Sequence, residues 1–342
     1  MNLSFSFVVP VYNRPDEIVE LLTSIMGQTY TEPFEIVVVE DGSTLSSKQN
    51  VMDFKNHPRA VKGNISISYF TKDNSGPGDS RNCGMRKAKG NYFIILDSDC
   101  ILPETYLQTV AKSLQENFIH CFGGPDAAHE SFSMVQKAIN YAMTSVLTTG
   151  GIRGNKKALG KFQPRSFNMG ISKEAFEATA GFGRIHPGED PDLTFRIWKS
   201  GYDSRLIPEA FVYHKRRIDW NKYFNQVKKF GMVRPILNRW HPGTAKMTYW
   251  FPTFFVLGFI VAIALYTIGI VLPCYLYAVY FALIFIDSLL RNKSLSIALL
   301  SILAVCIQFT GYGYGFLKST ALVNFSDTKP EELFPELFFE PL

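Results

Sequence analysis

Over its first two-thirds the chain alternates short, nearly unbroken apolar runs with helix-length amphipathic stretches. The apolar runs Phe5–Val11, Phe34–Glu40, Ile65–Phe70, Tyr92–Asp97 and Ile119–Gly123 predict strands. The stretches between them predict helices over Asp16–Gly27, Leu45–Asn56, Gly78–Lys89 and Pro103–Asn117. Pro15 and Pro103 stand where a first helical turn tolerates proline, and Gly27 and Gly90 are plausible stops. This is the order of βαβ units around a mostly parallel sheet. After Gly124 the rhythm loosens. Thr148 to Pro164 holds four glycines and four basic residues and reads as a mobile loop. Structured sequence resumes at Phe167–Ile171, with helices from Lys173 and over Asp190–Lys199. No internal repeat or low-complexity tract is visible.

The last third has a different pattern. From Tyr213 to Lys246 nine basic residues face a single acid, Asp219. Within it Trp220, Tyr223, Phe224, Val227 and Phe230 recur at three- and four-residue steps, so a helix gathers them on one face with lysines opposite. A helix lying in a membrane interface, its apolar face toward lipid, is the expectation. A basic helix docked on its own domain, or on nucleic acid, is the alternative. Three apolar spans follow: Tyr249–Leu272, Pro273–Leu290, whose one charge is Asp287, and Leu295–Leu317. The first is long enough to cross a hydrocarbon core of about 30 Å. Gly269 and Pro273 offer a turn that makes the first two spans a hairpin, and Arg291 and Lys293 place the next loop on the cytoplasmic side. The third span crosses or lies along the interface. Its Gly311 and Gly315, four apart, let helices approach closely. If all three cross, the acidic tail after Lys318 lies outside the cytoplasm.

Composition adds little to this division. The 342 residues are 46% hydrophobic and 19% charged, with a formal net charge of +5. Five scattered cysteines, Cys83, Cys100, Cys121, Cys274 and Cys306, form no C-x-x-C pair, which argues against a zinc site or a disulfide framework. The apolar run Leu3–Val11 has no basic segment before it and is soon ended by Pro10 and Asn13, so it reads as a first strand rather than a signal peptide. The expectation is a multi-pass protein of the inner or plasma membrane with its soluble part in the cytoplasm.

Candidate chemistry lies at strand ends. Ile94-Ile-Leu-Asp97-Ser98-Asp99 is a buried strand ending in two carboxylates one residue apart, suited to hold Mg²⁺ or Mn²⁺ against a diphosphate. Val8-Val-Pro10-Val-Tyr12-Asn13-Arg14 and Val37-Val-Val-Glu40-Asp41-Gly42-Ser43 are two more strands running into polar turns. Parallel strands put these ends on one rim, where an aspartate can accept from a base N–H and Tyr12 can pack on a ring. Taken singly, each is ordinary turn chemistry. Together they describe a nucleotide pocket.

Pro10-Val-Tyr-Asn-Arg14, Glu40-Asp-Gly-Ser43, Gly78-Asp-Ser-Arg81-Asn-Cys-Gly84 and Leu96-Asp-Ser-Asp99 resemble, in order and spacing, the motifs of family 2 glycosyltransferases of GT-A fold. The resemblance covers roughly residues 3–217. It implies an inverting, metal-dependent enzyme that takes a sugar from a nucleotide-sugar donor, UDP-linked by expectation. The sugar would pass to a hydroxyl of a lipid-linked or growing cell-surface glycan. It places Asp41 and Asp97 on uridine and ribose within a donor site of Pro10, Tyr12, Asn13, Arg14, Arg81 and Ser98. Asp99 would bind the metal on the donor diphosphate, with His214 of Val212-Tyr-His-Lys-Arg-Arg217 completing the metal or diphosphate shell. Asp79 departs from the small residue usual two before the family's basic position. Gly188-Glu189-Asp190-Pro191-Asp192 resembles the family's acidic motif at a helix start, where capping also favours acids. The resemblance makes Asp190 the base for the acceptor hydroxyl and Glu189 the fallback, while His186, beside Pro187, reads as a loop residue.

The expected organisation is a GT-A domain over 1–217, a basic interfacial helix and linker over 218–246, transmembrane helices over 247–318 and an acidic tail over 319–342. Nucleic acid is not an expected partner. Transfer to a polyprenyl phosphate carrier is the second reading within the enzyme class. A processive polysaccharide synthase fits less well, because Ile236 stands where a Gln-x-x-Arg-Trp motif ending at Arg239-Trp240 needs glutamine. A nucleotidyltransferase needs a glycine-rich, arginine-bearing loop after strand one, and Pro10-Val-Tyr-Asn13 is not that. A catalytically dead membrane scaffold is the reading outside that class. Against it, Asp41, Asp97, Asp99 and Asp190 are all retained, although carboxylates crowded without a metal are costly.

Overall fold

The computed structural model of the chain describes residues 2–127, 132–150, 161–215 and 219–339. Most of the glycine-rich loop expected after Thr148, and Arg216 and Arg217 of the basic stretch, lie outside the described residues. The chain divides into two units. Residues 2–127, 161–214 and 338–339 form the first, and residues 132–150 and 219–337 belong to the second.

The first unit is built on the expected strands. β1 (Phe5–Val11), β2 (Phe34–Asp41), β3 (Ile65–Lys72) and β4 (Tyr92–Leu96) fall on the predicted apolar runs. β6 (Cys121–Gly123) is shorter than expected, and β8 (Asn168–Ser172) and β9 (Ser204–Leu206) complete a seven-stranded sheet of order β3-β2-β1-β4-β8-β6-β9. All neighbours are parallel except β8, which runs antiparallel to both β4 and β6. A small second sheet joins β5 (Cys100–Ile101), β10 (Val212–His214) and β7 (Asp126–Ala127).

Helices cover both faces, which is why the central strands read as continuous apolar runs rather than alternations. Phe7, Val9, Ile36, Val38 and Ile94 pack with α1 (Pro15–Met26) and α5 (Tyr106–Glu116). Val8, Phe93, Ile95 and Met169 pack on the other face with α4 (Pro77–Lys87), α8 (Lys173–Thr179) and α9 (Glu189–Lys199). The expected helix over Leu45–Asn56 is broken into α2 (Lys48–Asp53) and a 3₁₀ turn, with the single-turn α3 (Pro58–Val61) after it.

The second unit is helical. α6 (Met134–Thr144) and α7 (Val146–Thr149) precede α10 (Trp220–Trp240), α11 (Phe251–Thr267), α12 (Leu272–Asn292) and α13 (Leu295–Phe325). Among the described residues, three helices are long and apolar enough to cross a membrane: Met247–Thr267, Leu272–Asn292 and Leu295–Phe325.

The expected lipid-facing side of α10 is in part covered by protein, while Trp220, Phe224 and Phe230 stay partly exposed. Tyr223 and Val227 are buried in a cluster with Ile139, Ala304, Val305 and Phe309, and Tyr223 donates to Gln308 at 2.8 Å. The physical reason is a seam of small residues. Gly311 lies against Val227 and the Phe224 carbonyl, Gly315 against the Lys228 carbonyl, and Gly231 against the backbone of Tyr312 and Phe316. With no side chain in the way, the two backbones approach closely enough to cover Tyr223 and Val227.

Candidate active site

The rim is made where β1 and β4 part. β1 stays in register with β2 as far as Val11, but its ladder to β4 ends with Val8 opposite Ile95. Strands on the two sides of β1 connect in different directions there, which opens a crevice beyond their carboxyl ends. Pro10, with no N–H to give, sits just past the last β4 pair. Tyr12 is half-exposed above it. Asn13 adopts the left-handed region, with φ of 53°. Its Oδ1 accepts from the N–H groups of Thr44 (2.8 Å) and Leu45 (2.9 Å), and its own N–H donates to Ser43. Asn13 therefore ties the exit of β1 to the exit of β2.

Asp41 ends β2 and is buried. Its two oxygens accept from the backbone N–H groups of Ser75 and Gly76, each at 3.0 Å, and from Lys72 Nζ at 2.7 Å. Lys72 also reaches Asp79 at 3.2 Å. That contact accounts for the unusual Asp79: its charge is met by a lysine at the end of β3. Glu40, one residue before Asp41, is taken up elsewhere, accepting from Ser47 N–H, Ser46 and Tyr69.

Arg81 joins two carboxylates that lie 92 residues apart, on β4's exit and at the start of α9. Its Nη2 donates to Asp97 at 2.7 Å and its Nη1 to Glu189 at 3.1 Å, with Phe182 beneath the guanidinium. Only 3% of Arg81 is exposed, so its pair with the buried Glu189 is shielded from water, whereas Asp97 keeps 30% of its side chain exposed. The α9 acids then divide. Glu189 is buried, and against that burial His186 Nδ1, 2.9 Å away, and Arg81 hold its carboxyl well below the usual range. Burial pushes Asp190 the other way, up to about 6, helped by the neighbouring Glu189 charge and opposed by Arg81 and Arg165. Asp190 Oδ1 is buried with no hydrogen-bond partner among the described residues. Asp192 is held by the Nε and Nη2 of Arg196, at 3.1 and 2.7 Å.

Asp99 follows β4 and the buried Ser98, and receives Arg14 on Oδ2. Its Oδ1 lies 3.2 Å from His214 Nε2. The β5–β10 pairing sets Cys100 opposite His214, and the His214 ring stacks on Phe167 at 4.7 Å. Asp99, Cys100 and His214 offer ligand atoms within 4.8 Å of one another. The Cys100 thiol is wholly buried and donates to the Phe167 carbonyl. An aspartate oxygen and an imidazole nitrogen that converge at a strand end are a pair able to hold a divalent cation.

Three groups in this cleft carried no sequence signal of their own. Lys72 ends a polar-edged strand, and His186 sits in a loop beside Pro187. Phe338 bridges Ile185, while Phe339 donates its N–H to the Arg184 carbonyl at 3.2 Å and lays its ring on Gly76, the residue whose N–H holds Asp41.

The strand order and the acid-lined rim define an α/β domain of GT-A type. Residues 6–178 match the family described as "Glycosyl transferase family 2", and the chain belongs to that family. Among its relatives, "Glycosyltransferase GlyA" of Streptococcus pneumoniae serotype 4 is 36% identical over 238 residues, which cover 68% of this chain and 32% of that protein. "Poly(ribitol-phosphate) beta-N-acetylglucosaminyltransferase TarS" of Staphylococcus aureus is 34% identical over 116 residues, 34% of this chain and 19% of that one. The matched segments thus span a fifth to a third of these relatives' length. Among solved structures, the mannosyltransferase PcManGT from Pyrobaculum calidifontis, in complex with GDP-Man and Mn²⁺, superposes with a TM-score of 0.57 at 19% identity. That match covers 96% of this chain and 89% of that one, and the likeness is one of fold.

Arg81→Gln is expected to destabilise the first unit by about 3–5 kcal/mol, because Glu189 and Asp97 lose their shared counter-charge. Adding Glu189→Gln in the same chain should recover part of that loss. Denaturant unfolding of the two variants checks this, and strictly additive losses contradict the coupling.

Proposed function

We propose that this glycosyltransferase is a membrane-anchored, inverting enzyme that moves a sugar from a nucleotide-diphosphate donor, UDP-linked, to a hydroxyl of a lipid-linked or cell-surface polymer. The observation that carries the reading is the Arg81 bridge. It joins Asp97 of the donor rim to Glu189 at the head of α9, so the nucleotide side and the acidic helix start line one cleft. The name of the TarS relative gives poly(ribitol-phosphate) as acceptor and N-acetylglucosamine as the sugar, which supports a surface-polymer acceptor.

In this reading Asp41 and Asp97 receive the nucleoside, with Tyr12 against a ring and Arg14 near the diphosphate. Asp99 and His214 hold Mg²⁺ or Mn²⁺, which when bound supplies positive charge to the departing diphosphate. Asp190 accepts the proton of the acceptor hydroxyl. The hydroxyl oxygen bonds to the anomeric carbon as that carbon's bond to the phosphate oxygen breaks, and the nucleoside diphosphate leaves with the electron pair. Glu189, bound between Arg81 and His186, keeps its charge and orients the helix start. Its proximity helps keep Asp190 basic enough to take a proton near neutral pH. The apolar helices α11 and α12 provide the anchor. Purified protein screened against a panel of nucleotide sugars for slow donor hydrolysis tests the donor class. Turnover of none of them overturns the reading.

A chelator in excess should abolish turnover, and Asp99→Ala should do the same while leaving the unfolding midpoint close to that of the parent. Full activity under chelation contradicts the metal assignment. A base must be unprotonated to act, so turnover should be full above the raised Asp190 value and fall as pH drops through about 6. Asp190→Asn should lower the maximal rate by about 10²–10⁴-fold with donor affinity by calorimetry nearly unchanged. Loss of donor binding in that variant places Asp190 in the wrong half of the cleft.

A further inference from the structure

We propose that the chain crosses the bilayer twice, through α11 and α12 alone, and that α13 lies at the membrane face on the side that holds the first unit. This rests on the membrane-anchored reading above and goes beyond it, because α13 is by length and apolarity as good a candidate span as the other two.

The path of the chain supplies the first argument. Phe338 and Phe339 belong to the first unit, paired with Ile185 and Arg184 and seated on Gly76. The chain therefore leaves that unit after His214 and comes back to it at Phe338. A chain that starts and ends on one side of a membrane crosses an even number of times. Three crossings between Trp220 and Leu337 are excluded by this, and so is one.

The partners of α13 supply the second. α11 and α12 form a hairpin around Gly269, whose φ is +87°. In that hairpin Ser288 and Thr253 both lie near the open end and far from the turn. Ser301 Oγ is 2.7 Å from Ser288 Oγ, and the Phe309 ring meets Phe251 and Phe255 at 5.5 and 4.9 Å. The Gly313 carbonyl accepts from Thr253 at 3.1 Å. Moving about 18 Å along α13, from Ser301 to Gly313, thus leads from the open end of α12 to the open end of α11. A third span packed antiparallel to α12 would by Gly313 have reached the hairpin turn. The turn half instead contacts itself, Phe259 against Tyr277 and Cys274 against the Ala262 carbonyl, and leaves Ile260, Ile263 and Leu276 exposed.

Charge supplies the third. Beyond Gln308, α13 runs side by side with α10: Tyr223 meets Gln308, Ser319 Oγ donates to the Met232 carbonyl at 2.6 Å, and Arg239 donates to the Val323 carbonyl at 3.1 Å. α10 carries Lys222, Lys228, Lys229, Arg234 and Arg239. A helix zipped to that row of cations belongs at headgroup level, where the charges meet lipid phosphate, and not at mid-bilayer. By contrast, the hairpin holds no charged residue from Met247 to Ile286, with Lys246 before it and Arg291 and Lys293 after it. Both of its ends are basic, as a hairpin with both ends on one side requires.

The test is side-specific labelling in sealed vesicles of both orientations, with the five native cysteines replaced and one cysteine introduced at Ser4, Ile270 or Thr328. A membrane-impermeant maleimide should label Ser4→Cys and Thr328→Cys from the same side, and Ile270→Cys only from the other. Labelling of positions 4 and 328 from opposite sides overturns the proposal, and so does labelling of all three from one side. A glutamyl endopeptidase on the unaltered protein gives the same reading without substitutions: the bond after the exposed Glu332 should be cut only from the side on which the first unit is cut. Release of the protein by alkaline carbonate, by contrast, refutes the membrane-anchored reading itself.

Discussion

The buried guanidinium of Arg81 is the interaction on which the rest of the site depends. Removing a cation and the Glu189 carboxylate from water is unfavourable, and the arrangement holds because Arg81 meets an oxygen of Glu189 and one of the partly exposed Asp97 at bonding distance. The result is that α4, the exit of β4 and the head of α9 are fixed to one another. The same cation makes neighbouring acids unlike. Glu189, bound to Arg81 and His186, is held firmly ionised, whereas Asp190, buried beside that charge, is raised into the range where a proton can be exchanged. Two adjacent carboxylates driven apart in this way suit a division between a positioning group and a base.

Much of this was legible in the sequence because parallel strands buried on both faces leave unbroken apolar runs. Phe5–Val11 became a strand with those limits, and the strands ending at Asp41 and before Asp97 delivered their acids to one rim. The two- and three-residue strands β5, β7 and β9 are too short to carry a period, and α6 lies where the rhythm had loosened. Motif order singled out Arg81 and Asp190 as candidates, but no local pattern marks the partner that reaches a site from far along the chain. Lys72, His186 and Phe339 join the cleft through tertiary placement only.

Amphipathicity had a similar limit in the second unit. The spacing of Tyr223, Phe224 and Val227 correctly gathers one apolar face, but spacing cannot say what covers it. Gly231, Gly311 and Gly315 decide the matter, since they permit a backbone approach that a lipid-facing helix does not need. The glycine spacing was visible in the sequence as a helix-packing feature. Its partner was not, because that partner is 80 residues away in α10.

The central claim is a single displacement at the anomeric carbon with Asp190 as base. It is tested most directly by following donor hydrolysis with proton NMR, using a donor whose sugar is α-linked to its diphosphate. In the absence of an acceptor, water takes the place of the hydroxyl, and the first anomer to appear reports the stereochemistry before mutarotation mixes the signals. The account predicts that the β-anomer appears first. Initial release of the α-anomer, with the donor's configuration retained, contradicts it.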